Sequence, residues 1–472
     1  MIRTIAYKEW LEITRDGRFR ASAGAVLLLL LAALIAGTLH YNQVSREHHE
    51  AQRTTREQFL SQGRKNPHSA AHYGMYAFKP KLPLSLADRG TDAYTGVAVW
   101  LEAHRQNEFR YRPAQDASSF GRFGELTAAT VLQIFVPLLI VATAFPAFAG
   151  ERENGTLRQL LSVGITRRDL AFGKAAGIGM ALGATLVPAA LVGAAALVLS
   201  AESGAASASF ERALLLAASY VLYFCTVLAI SLAVSAWVRT ARTALLTLLT
   251  FWIATCIIAP RLISDAAKVL YPAPNVYEFN VAVENEIRNG IDGHSPQSKR
   301  TAELTRGLLI RHGVSRPEDL PFNLQGYLLE EGERYGNLVF DRHFGRLWDT
   351  YEAQNRVLDA AALLSPALAV RSLSMAFAGT DFAHHRRFAD AAERYRRAMV
   401  TELNGAITRT SRTGTVVLAA GELWSRVPPF TYTAPGVGWA LGGRAIAVGM
   451  LLLWAGAAWF LALRAATKAT PL

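Results

Sequence analysis

Only two cysteines occur in 472 residues, Cys225 and Cys256. Both fall inside apolar runs, so neither a disulfide framework nor a cysteine metal site is indicated. No G-x-x-x-x-G-K-[ST] loop occurs. The chain therefore has no Walker-type phosphate cradle and is not itself an ATPase. H-E-x-x-H and G-x-S-x-G are missing too. Nothing in the sequence then supports an intramembrane enzyme. The remaining absence is of charge: the cores of the longest apolar runs carry no Asp, Glu, Lys, Arg or His. Ion- and proton-coupled carriers keep such groups in the bilayer because their relays need them. If this chain moves a substrate, the energy enters from elsewhere.

What is present is apolar residue in blocks. The chain is 51% hydrophobic with a mean hydropathy of +0.18. That is apolar for a soluble protein and dilute for a pure helical bundle, as expected of spans plus soluble insertions. A spanning helix needs roughly 20 apolar residues. Six stretches qualify: 21–41, 126–149, 171–200, 213–238, 243–259 and 443–464. The first lacks a clear small-x-small cleavage site and follows a charged 20-residue segment, so it reads as an uncleaved anchor. The fold class expected is an all-α integral membrane protein.

Basic residues set the orientation. They collect at 1–20, at 150–170, at Arg239–Arg242 and in the tail with Arg464 and Lys468, all on one side of a six-span layout. The link 201–212 on the other side has a single one. Both termini are expected to be cytoplasmic, in a bacterial inner membrane. The net charge of +12 is then a topology signal and membrane-lipid contact, with no nucleic-acid partner. Ile2, Ile5, Trp10, Leu11 and Ile13 recur at roughly helical spacing, which suggests an amphipathic helix along the inner surface; a plain charged tail is the alternative. Two insertions lie outside, 42–125 and 261–442. The second is expected to be a mainly helical domain, with helices over 337–364 and 381–412 and turn signals at Ser365–Pro366 and Gly379–Asp381.

Within the spans, Gly173, Gly177, Gly179 and Gly183 form overlapping small-xxx-small patterns. Tyr220, Tyr223, Thr226, Ser231 and Ser235 put polar groups along the fourth span. They read either as helix–helix hydrogen bonds or as a pathway lining, the candidates for lining being Tyr220, Tyr223, Thr226 and Ser231. Pro137, Pro146 and Pro188 are positioned to kink their spans. All 11 histidines fall at or beyond the outer ends. His68 and His72, four apart, can share one helix face and ligate a transition metal. Polar residues concentrate outside the bilayer in any case, so no metal site is assigned.

The link 150–174 reads GERENGTLRQLLSVGITRRDLAFGK. Gly155 permits a sharp reversal. Thr156 and Gln159 have capping-box spacing. Leu157, Leu160 and Leu161 give an apolar face, Gly164 can end the helix, and Thr166 with Asp169 repeats the cap. A short, stiff helix between two spans results, with Glu151 and Glu153 before it. By periodicity alone it is equally an ordinary connector.

This run resembles the signature of ABC-2 type transporter permeases, in which a glutamate-rich turn and a GTL–LL helix precede a Ser/Thr–Arg pair and a Gly–Lys. The matching positions are Glu151, Arg152, Glu153, Gly155, Thr156, Leu157, Leu160, Leu161, Thr166, Arg167, Gly173 and Lys174. Gly164 departs from it, since proline is common there in the family, and the two insertions are larger than in many relatives. The resemblance implies six helices of ABC-2 exporter type and a coupling helix within 150–170. It implies an ATPase-coupling role for Glu151, Arg152, Glu153, Gly155, Thr156, Leu157, Leu160, Leu161 and Arg167. It also implies a separate cytoplasmic ABC ATPase that binds ATP and Mg, this chain holding no cofactor, and a second permease chain, self or paralogue. A periplasmic partner would meet the outer domain. The competing reading is a membrane-anchored sensor or assembly scaffold with an outer binding domain.

Overall fold

The computed structural model describes residues 1–116, 126–200 and 206–470. The end of the first insertion and part of the 201–212 link, both read from the sequence, lie outside these residues. Among the described residues, six helices are long and apolar enough to cross a membrane: Gly17–Leu60, Ala128–Glu153, Arg167–Ser200, Ser207–Trp237, Ala241–Leu270 and Ala445–Lys468. The all-α membrane architecture read from the sequence is the one observed.

The first of these runs 44 residues without a break, well past the apolar limit at 41. Hydropathy marks depth in a bilayer, and no Gly or Pro in 42–60 stops the helix. Span two begins with a π-helical turn at Val131–Phe135 and span five contains another at Ile253–Ile258. Pro137 lies in the first turn of the α-helix Val136–Ala144 that follows the first π turn. Pro146 falls in a turn that interrupts span two, whereas Pro188 stays within one helix.

Both chain ends and the 150–174 link meet at one end of the bundle. The N-terminal helix Ile2–Arg15 packs across the helix Arg167–Ser200 with Ile5, Ala6 and Glu9 buried. Gly173 and Gly177 permit that approach: a Cβ at Gly173 would lie 2.6 Å from Ile5, and one at Gly177 2.5 Å from Glu9. A Cβ at Gly179 or Gly183 would meet nothing within 4 Å among the described residues outside its own helix backbone. Only half of the small-residue pattern therefore serves packing within this chain.

At the opposite end the two insertions form one body. Three antiparallel strands, β1 (Met75–Phe78), β2 (Ala98–Glu102) and β3 (Arg105–Gln106), come from the first insertion. The sequence reading did not include them. Long helices Leu324–Ala360 and Phe382–Thr410 come from the second. Phe59, Met75 and Leu101 share a buried core with Phe388, Met399 and Trp424. Arg444, entering the sixth span, pairs with Asp381 at 2.7 Å and Asp359 at 3.3 Å. The outer body is thereby tied to that span. Arg212, the one basic residue of the 201–212 link, is buried and donates to the carbonyls of Ala376, Phe377 and Pro435. It caps the helix Pro366–Ala378, whose last carbonyls have no intrahelical donor.

Candidate functional site: a braced connector and an outer cavity

The connector begins as span two ends in Ala149–Glu153. Gly155 adopts φ 73°, the left-handed conformation that reverses the chain. The helix Thr156–Ser162 follows, and Gly164, at φ 82°, turns the chain into span three. Thr166 caps that helix by accepting from the backbone N–H of Asp169 at 3.1 Å.

The capping box at Thr156 does not form. Gly155 is the N-cap, and the Thr156 hydroxyl instead donates back to the carbonyl and carboxylate of Glu151. Residue spacing cannot distinguish a hydroxyl at the cap from one a residue further on.

Glu151 also faces inward. Its Oε1 accepts from Lys174 Nζ at 2.9 Å and from Lys8 Nζ at 3.1 Å. Lys174 is 1% exposed and bonds Glu9 at 2.5 Å. Lys8 further pairs with Glu12 at 3.0 Å. Two lysines and two buried or half-buried acids thus lock the N-terminal helix to the junction of spans two and three. Such groups are expensive in a low dielectric unless paired in this way.

Arg152 and Arg167 are structural as well. Arg152, buried, donates to the carbonyls of Ala236, Val238 and Thr470. It closes the C-terminal end of span four and holds the tail. Arg167 donates to Ala469 O at 3.1 Å. Leu157 is buried, and Leu160 and Leu161 pack against the bundle core. The apolar face of the short helix therefore serves the bundle, and the other face is exposed. That face presents Glu153, Asn154, Arg158, Gln159 and Ser162, with Val163 at the tip 70% exposed. Of the residues matched to the signature, Glu153, Gly155 and Thr166 are exposed. Val163 was missed because the apolar stripe predicts burial, and a lone exposed valine has no periodic signal.

The hydroxyl row of span four is engaged in hydrogen bonds within this chain. Thr226 and Ser231 are fully buried and bond their own helix at Leu222 O and Val227 O, 2.8 Å each. Ser235 accepts from the N–H of Phe148 at 2.9 Å and donates to Phe145 O. Tyr220 meets Ser374 at 2.9 Å and Gln133 at 3.0 Å. Tyr223 donates to Gln133 O at 3.2 Å and lies 3.5 Å from Cys256 Sγ.

Tyr223 stands behind a cavity of about 1050 Å³ that Cys256 helps to line. Its floor is Ile134, Cys256, Ile257 and Pro260, from or beside the π turns of spans two and five. Carbonyls of those turns are satisfied by side chains. Trp252 Nε1 donates to Ile134 O at 2.9 Å, and Ser365 donates to Thr255 O at 2.8 Å. A π turn displaces carbonyls from the regular ladder and needs such donors at membrane depth. The walls belong to the outer body: Trp100, Phe109, Trp348, Tyr351 and Phe382. Three of the lining cations have acids beside them, Lys268 with Asp265, Arg112 with Glu108 and Arg396 with Glu393. The opening thus joins two spans to the outer domain through aromatic surface with an excess of cations, since Arg261 and Arg371 line it too.

His68 and His72 lie on the outer helix Pro67–Tyr73 and do not line the cavity.

A family model described as ABC-2 family transporter protein matches residues 3–306. That range takes in the N-terminal helix, the connector and five of the six spans. A second model, described as a domain of unknown function (DUF3526), matches residues 277–433, most of the second insertion. Comparison with curated proteins found no match.

Proposed function

This chain belongs to the ABC-2 transporter family as a multi-pass membrane permease, and we propose that it couples ATP hydrolysis in a separate subunit to export of a substrate. The observation that carries the proposal is the connector. A seven-residue helix is clamped between two spans by a buried ion cluster, and its outward face is polar with one exposed valine. An element clamped in this way transmits a push to spans two and three instead of bending under it. The cytoplasmic ATPase docks on Glu153, Arg158 and Val163, and its movement reaches the spans through Glu151 and Lys174. A second permease copy or paralogue completes the pathway, in a bacterial inner membrane with both termini inside.

On the outer side no ATP is available, so the outer body cannot drive transport. It receives or gates. The aromatic cavity suits an amphipathic molecule whose apolar part meets the rings. Movement of spans two and five at their π turns would alter its floor.

Orientation is the first test. In a background lacking Cys225 and Cys256, a cysteine at Ser162 should react with an impermeant reagent only in inverted vesicles. One at Ser298 should react in intact cells. Labelling of Ser162 from outside would remove the connector from the ATP side and end the proposal.

A further inference from the structure

Three imidazoles from two separated elements converge on the surface of the outer body. His68 and His72 stand one turn apart on the helix Pro67–Tyr73. His104 comes from the turn between β2 and β3. The Nε2 atoms of His72 and His104 lie 3.2 and 3.1 Å from that of His68. One ligand atom from each ring falls within 4.8 Å of the others. A tetrahedral ion with metal–nitrogen bonds of about 2.0–2.1 Å separates its ligands by roughly 3.3 Å.

The outer atoms of two rings are fixed. His104 Nδ1 lies 2.7 Å from a Glu333 carboxylate oxygen. His68 Nδ1 lies 2.9 Å from the Asn404 side-chain oxygen. Both oxygens accept, so each Nδ1 carries the proton, and in the neutral rings both Nε2 atoms present bare lone pairs to each other. Two lone pairs at 3.1 Å repel unless a cation lies between them. A carboxylate or carbonyl on the far nitrogen is also the usual support of a metal-bound histidine.

The backbone agrees. His104 has φ 63°, a conformation uncommon outside glycine and worth reading as functional. Its N–H donates to the same Glu333 oxygen at 2.7 Å. One acid thus holds both the strained turn and the ring. Glu333 also pairs at 3.5 Å with Arg396, a residue that lines the cavity on its other side.

We propose that His68, His72 and His104 bind a divalent first-row transition ion, with Glu333 and Asn404 orienting two of the rings. His72 and His104 are exposed, so a fourth position opens to solvent. An imidazole set of this kind suits zinc, copper, nickel or iron. The ligands come from the first insertion and their supports from the second, so the ion would fasten the two halves of the outer body.

The test uses the full-length protein in detergent, carrying no histidine tag, and Zn²⁺ alone as the probe in equilibrium dialysis after chelator treatment. One saturable Zn²⁺ per chain is expected. His72→Ala, at an exposed position that does not endanger folding, and His104→Ala should each abolish saturable binding. Glu333→Gln should weaken it about 10–100-fold. His294→Ala, elsewhere on the outer body, should bind as the parent does. No saturable binding by the parent, or equal binding by His72→Ala, overturns the site. Unchanged affinity in Glu333→Gln overturns the orienting role.

Discussion

Exchanging Lys174 for methionine is expected to release the N-terminal helix and abolish transport. Lys174 is the centre of the ion cluster, bonded to Glu9 at 2.5 Å and Glu151 at 2.9 Å. Its removal leaves two acids facing one another with Lys8 as their remaining cation. Breaking a buried ion pair on one side costs about 3–5 kcal/mol. Apart from the cluster, the helix Ile2–Arg15 is held by packing: Ile5 and Ala6 seated over Gly173 and Gly177, and Ile13 against the bundle core. A cysteine placed at Ala6, buried in the parent, should become reactive in the Lys174→Met protein. Adding Glu9→Gln should restore part of the protection, because the two substitutions share one network and do not add. Unaltered protection in Lys174→Met would mean that packing alone seats the helix.

At Val163 the effect should appear without loss of structure. An aspartate there sits in water in the free permease, and substitutions at such positions shift stability by about 0.5 kcal/mol or less. In a docked complex its carboxylate would have to be desolvated. Loss of an interface anchor of this kind costs about 2 kcal/mol or more, roughly a thirtyfold drop in affinity. Val163→Asp should therefore reach the membrane, resist protease like the parent, and fail to retain the ATPase on purification. Leu160→Asp makes the contrast. Leu160 packs against the bundle core, so that variant should be lost by misfolding. Equal ATPase retention by Val163→Asp and the parent would move the docking surface elsewhere.

Much of the membrane half is legible in the sequence because its signals are local. Six apolar runs, the reversals at Gly155 and Gly164, and the cap at Thr166 each depend on neighbours within a turn or two. The role of the signature residues is less legible. Glu151, Arg152 and Arg167 look like charges offered to a partner, yet their partners are Lys174, Val238 and Ala469 of this chain. A charge beside a span reads the same whether it points out or in. The hydroxyls of span four pose the same problem, since Ser231 bonded to Val227 O and a serine lining a pore have one pattern.

The outer body is the least legible part. Phe59 and Trp424 share a core across more than 300 positions, and no periodicity records such a pairing. His68 and His72 announce a shared helix face. His104 joins them only through the fold of the β2–β3 turn.

The most direct measurement is photocrosslinking from a benzophenone amino acid at Val163, in membranes holding the permease and its ATPase together. An adduct with the ATPase is expected there, and none from the same group at Ser298 on the outer body. An intact, purifiable complex that yields no ATPase adduct at Val163 would contradict coupling through the connector.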